Sequence, residues 1–155
     1  MAALVGVISD THGLLRPEAL DALAGSDLIV HAGDVGDPAI LDRLRAIAPV
    51  VAVRGNVDTG PWASALPMVD VAEAGGRHLF VLHILDMLDV DPGVAGFAAV
   101  ISGHSHQPSS EVRNGVLWLN PGSAGPRRFS LPVTLARLRV SASSVDCEIV
   151  NLVNP

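Results

Sequence analysis

A chain of 155 residues has the length of one domain, read here as spanning residues 1–155, and can bury roughly two thirds of the surface that its unfolded form exposes. Although 49% of the residues are apolar, no unbroken apolar stretch reaches the ~20 residues needed to span a bilayer. The apolar N-terminus MAALVGVISD has no basic leading region, which argues against a signal peptide and for a cytoplasmic location. A net charge of −6, with three Phe, two Trp and no Tyr, argues against a general nucleic-acid surface, which needs clustered basic residues and stacking aromatics.

In chain order, residues 3–8 predict a strand, 16–24 a helix with Pro17 near its start, and 27–31 a second strand. Asp37 and Pro38 open a helix over 38–47, where the missing proline N–H costs little. Val50 to Val53 form a third strand, so the chain begins βαβαβ with parallel strands. From residue 67 strand signals dominate: MVDVAEA, HLFVLH, AAVISG, EVRNGVLWLN, VTLARLRV and VDCEIVNL. Gly75-Gly76 and Asn114-Gly115 mark hairpin turns. The alternation in LARLRV predicts a strand with one wet face. Two mixed sheets packed face to face, with helices outside, follow from this order. Cys147, the single cysteine, reads as a small core or edge residue.

Five apolar runs each end in a residue able to hold a metal ion: Asp10 and His12, Asp34, Asn56, His83, and the pair His104 and His106. Ligands of open α/β sheets collect beyond the carboxyl ends of strands. Seven such donors are too many for one small cation and suit two that share a carboxylate. The spacing of Asp10 with His12, and of His104 with His106, points each pair to one centre if the backbone is extended. Gly33, Gly55 and Gly103 precede ligands and permit tight turns there. Imidazole mixed with carboxylate and amide oxygen suits Mn, Fe, Zn, Ni or Co, with Mn favoured. Two divalent ions carry +4, and two aspartates with a hydroxide remove three of those charges, which leaves attraction for a phosphate. His31 reads as a packing or orienting residue, and His78 as an exposed strand residue.

The series D-x-H, G-D, G-N-x-D, H and G-H-x-H resembles the calcineurin-like metallophosphoesterase superfamily. The short length and the NPGS sequence at Asn120 to Ser123 are similar to its small prokaryotic phosphodiesterase branch, to which the retromer scaffold subunit is related. The resemblance implies a four-layer α/β/β/α sandwich. It also implies one divalent ion on Asp10, His12 and His106, a second on Asn56, His83 and His104, and Asp34 bridging. Attack by a bridging hydroxide on a small phosphoester follows, with Asp34, Asn56, Asp58 and His104 carrying catalysis and Asp58 acting as an orienting acid. Many relatives have His after the motif asparagine, where it can protonate the leaving group; this chain has Val57, which favours substrates with good leaving groups. After His83 many relatives have Gly and a further His, whereas Ile84 and Leu85 make this wall apolar. Arg127 and Arg128, in GPRRF, are candidates to clamp a phosphate or to lie exposed at the start of a strand. The resemblance and the apolar fraction favour a homodimer. Two other functions compete: a retromer-like interaction scaffold without catalysis, and a DNA-processing nuclease.

Overall fold

A computed structural model describes residues 2–153. Its first half alternates strand and helix: β1 (Ala3–Ile8), α1 (Pro17–Leu23), β2 (Leu28–His31), α2 (Pro38–Arg45) and β3 (Val50–Ala52). A four-residue helix α3 (Pro61–Ser64) leads to β4 (Val69–Ala74) and β5 (Arg77–Leu82). A 3₁₀ turn at Leu85–Met87, helix α4 (Pro92–Ala95) and strands β6 (Ala99–Ile101), β7 (Ser109–Arg113), β8 (Val116–Asn120), β9 (Thr134–Val140) and β10 (Val145–Asn151) complete it. The expected strands are all present, and the Gly75-Gly76 and Asn114-Gly115 turns join the antiparallel pairs β4–β5 and β7–β8. Helices α3 and α4 and the 3₁₀ turn leave no signal in the sequence pattern. Each spans only three or four residues, too short for an apolar periodicity to register.

Two five-stranded sheets result, ordered β10-β9-β1-β2-β3 and β4-β5-β6-β8-β7. Both are mixed: β1–β2–β3 and β5–β6–β8 run parallel, and β9, β10, β4 and β7 join them antiparallel. The sheets face each other across a core that includes Val5, Val7, Val30, Val81, Ile101 and Leu138. On the outside of the first sheet, Leu23, Ile40, Leu41 and Leu44 from α1 and α2 pack on Ile8, Ile29 and Leu135. The helices hold there because Pro38 sits in the first turn of α2 and the Asp37 side chain accepts the Ala39 N–H. The outside of the second sheet has a thinner cover, in which Leu88 and Phe97 lie on Phe80, Leu82, Val100 and Val116.

On β9, Arg137 and Arg139 are exposed between buried neighbours, the expected wet face, and Arg137 pairs with Glu148 on β10. Cys147 is half-buried on β10 against the inter-sheet core, and burial pushes its thiol pKa up. No helix among the described residues is long and apolar enough to cross a membrane.

Candidate metal centre

The seven donor residues leave the carboxyl ends of β1, β2, β3, β5 and β6 and meet at one edge of the sandwich. Asp10, His12 and His106 place one ligand atom each within 4.8 Å of the others, and so do Asp34, His83 and His104. In the first group His106 Nε2 lies 3.3 Å from Asp10 Oδ1 and 3.3 Å from His12 Nε2, while His12 Nε2 is 3.6 Å from Asp10 Oδ1. A tetrahedral ion with ligands near 2.1 Å would separate them by roughly 3.4 Å. In the second group His83 Nε2 is 3.1 Å from Asp34 Oδ2, and His104 Nδ1 is 3.1 Å from Asn56 Oδ1. Asp34 Oδ2 also lies 3.6 Å from His12 Nε2, so one oxygen faces an imidazole of each group.

Two buried carboxylates face four imidazoles here, and neutral rings cannot offset that much desolvated negative charge. Asp10 Oδ1 and His83 Nε2 are buried without a hydrogen-bond partner among the described residues. Their orientation is built in. Asp10 Oδ2 is taken by the Ser9 hydroxyl at 2.6 Å and the His104 N–H at 3.1 Å, which leaves Oδ1 to face the cluster. His83 Nδ1–H donates to the Ala32 carbonyl at 2.7 Å, so the Nε2 lone pair of the neutral ring points at the carboxylates. Donor types, spacing and partnerless atoms fit divalent cations.

Burial pushes the Asp34 carboxyl up, but the His83 ring 3.1 Å away, the Val57 N–H and the charge that His83 and His12 carry when protonated outweigh it and bring the pKa down to about 2. Burial lowers the His83 pKa, yet Asp34, Asp10 and the Ala32 carbonyl raise it overall. Burial, Arg128 and His12 together push His106 down against the pull of Asp10. The two arginines of the GPRRF segment, Arg127 and Arg128, are exposed. The next residue, Phe129, is 94% exposed at a φ of 53°.

One expectation fails. Asp10, His12, Asp34, His104 and His106 all have positive φ, five of the seven non-glycine residues in that region among those described. Extended backbone therefore does not align the pairs, and His104 and His106 fall into different groups. Left-handed backbone is uncommon outside glycine, although Asp and His adopt it more readily than most, and it persists where surrounding bonds impose it. Here Asp10 N–H donates to Gly33 O and His12 N–H to Asp34 O. Of the three glycines, Gly33 does need its freedom, at a φ of +102°. Gly55 and Gly103 lack positive φ and serve close approach instead: a Cβ would run into Asp34 at the first and into Ser9 and Asp10 at the second.

Several residues that position the ligands had no role assigned from sequence. Asn120 Nδ2 donates to the Gly103 carbonyl at 2.9 Å and holds the His104–His106 loop. Ser123 Oγ donates to the Asp10 carbonyl at 2.9 Å. The NPGS turn was thus visible as a motif, but not as a clamp on two ligand loops. Asp58 accepts the N–H groups of Val35, Gly36 and Gly55 and ties the Asp34 loop to the Asn56 loop; its contacts are to backbone. His31 is fully buried, accepts the Gly33 N–H at Nδ1 and so donates from Nε2 to Thr11 Oγ1. Burial brings its pKa down to about 4. His78 is exposed, near Glu73. Val57 is 45% exposed at the rim.

Residues 4–143 match the calcineurin-like phosphoesterase superfamily domain. The chain belongs to that superfamily. It is 35% identical, over 95% of its length and 91% of the relative's, to a probable metallophosphoesterase of Methanothermobacter thermautotrophicus. A predicted phosphoesterase from Streptococcus pneumoniae TIGR4 superposes with a TM-score of 0.77 at 25% identity, covering 97% of this chain and 90% of the other. Vacuolar protein sorting 29 from Cryptosporidium parvum has the same fold, with a TM-score of 0.76 at 19% identity over 96% of this chain and 97% of its own.

Proposed function

We propose that this chain is a phosphodiesterase that cleaves small phosphoesters in the cytoplasm with two divalent cations, manganese favoured. Asp10, His12 and His106 would hold one ion, and Asn56, His83 and His104 the other, with Asp34 between the two groups and shared by them. The observation that carries this reading is the position of Asp34 Oδ2, 3.6 Å from His12 Nε2 and 3.1 Å from His83 Nε2. Bound there, the ions supply Lewis acidity toward a phosphoryl oxygen and a nucleophile from water at neutral pH.

The chain's own residues supply the rest. Ser9, the His104 N–H and Ala32 O aim Asp10 and His83, so that little reorganisation is needed when substrate arrives. Asp58 keeps the Asp34 and Asn56 loops at fixed separation. The Val57 side chain has no proton to give, so the leaving group departs without help from that position.

The test is metal analysis and turnover. Protein stripped with a chelator and reloaded with Mn²⁺ is expected to hold two ions per chain and to hydrolyse bis(p-nitrophenyl) phosphate. One ion or fewer at saturating Mn²⁺, or turnover that survives chelation, would overturn the reading. A partner-binding scaffold is the competing function, favoured by the exposed apolar side chains of Val57, Met68, Val69 and Met87. Met68, Val69 and Met87 share a small cavity with Asn56 and His83. A scaffold has no use for the buried, partnerless Asp10 Oδ1, and measured turnover decides between the two.

A further inference from the structure

A groove of about 260 Å³ runs from the metal centre across the outer face of the second sheet. Gly103, His104, Ser105 and Asn120 line the end at the centre, and Trp118 and Val100 form part of the floor. The groove exists because α4 and the 3₁₀ turn are too short to cover this face, so that Leu85 on one side and Ser109 on the other become its walls. Trp118 is only partly buried, and the Arg113 guanidinium lies 4.5 Å from its ring centroid. Glu111, opposite Trp118 in the β7–β8 register, is 3.8 Å from Arg113 Nε.

These features define what the groove accepts. An indole with a stacked guanidinium offers flat surfaces that favour a planar aromatic group. Glu111 already offsets the charge of Arg113, and Asp86 adds another negative charge to the lining. A second phosphate is therefore repelled, as is a polyanionic strand. The volume suits a group of one or two rings.

We infer that the groove beside His104 is a subsite for an uncharged, planar aromatic or heteroaromatic ester group of the substrate, with the phosphate at the metal centre. This rests on the metal-centre reading above and adds the substrate class to it. Val57 favours the same class, because aryl alcohols leave without an acid.

Phenylphosphonate and methylphosphonate, whose P–C bonds are not hydrolysed, separate the subsite from the chemistry. Their affinities for the Mn²⁺-loaded protein are measured by calorimetry. In a Trp62→Phe background Trp118 is the remaining indole, and its emission reports where the ring sits. Phenylphosphonate is expected to bind at least about tenfold more tightly and to quench Trp118. Ser109→Phe, which fills one wall, should abolish that preference and leave methylphosphonate within about twofold; Leu85→Phe, on the opposite wall, should do the same if Ser109→Phe does not fold. Equal affinities, binding of neither phosphonate, or a preference that survives the filling variants with Trp118 emission unmoved would overturn the subsite. Hydrolysis of bis(p-nitrophenyl) phosphate is measured in parallel. Its absence beside an intact phenyl preference defeats the catalytic reading alone, and turnover without that preference defeats the groove alone.

Discussion

Asp10 and His106 lie buried at one end of the centre, held by the Ser9 hydroxyl and by the loops that Ser123 and Asn120 clamp, whereas Asn56 and His104 stand exposed at the rim. The deep half offers a carboxylate and two imidazoles. The rim half depends on a neutral amide and an exposed ring for two of its donors, and Asp34 joins the halves. Burial and ligand charge thus fall off together across a few ångströms. Ion affinity should fall in the same direction, with the rim ion binding more weakly.

The largest effect tests the junction. Asp34→Asn removes a carboxylate that stays charged down to a pKa of about 2, and several kcal/mol of transition-state stabilisation with it. Turnover should drop on the order of 10³-fold with circular dichroism unchanged; full activity would dissolve the two-half picture. Asn120→Ala reaches the deep half through its scaffold. Loss of the bond to Gly103 O should loosen Mn²⁺ at the tighter site by about 10–100-fold, seen in titration of the apoprotein, and an effect on the weaker site alone would reverse the assignment.

Asn56→Ala should weaken the looser site by about tenfold and leave the tighter one unmoved. Two indistinguishable affinities in the parent protein would remove the contrast altogether. Val57→His places a proton donor at the rim, and should raise rates on alkyl diesters by about tenfold relative to aryl diesters. A shallow leaving-group dependence in the unmodified protein would show that another residue donates the proton.

The last effect lies behind the deep half and is read on stability rather than on binding or rate. His31 has a pKa of about 4 in the fold against 6.5 unfolded, so between those values only the unfolded chain takes up this proton. Stability is therefore full above pH 6.5, falls as pH drops toward 4 by roughly 3 kcal/mol, and is flat below. Denaturant unfolding of the apoprotein at several pH values should show that slope reduced in His31→Gln. An unchanged slope would mean that other groups carry it.

Much of this arrangement was legible along the chain. Short β-branched runs closing on polar residues marked the strands of both sheets and the polar residues that meet at one edge of the sandwich, because alternation and turn chemistry act over a few residues. Asn114-Gly115 and Gly75-Gly76 set their hairpins for the same reason. What the sequence could not supply was the direction in which the donors point. The i, i+2 rule presumes extended backbone, and His104 and His106 part company because theirs is left-handed. That conformation is held by bonds such as His104 N–H to Asp10 Oδ2, across 94 residues, and the clamp from Ser123 to Asp10 O spans 113. Local patterning determines which segments become strands and where their polar ends fall. Which candidate ligands come together, and whether a groove opens beside them, is decided by contacts that exist only once both sheets have packed.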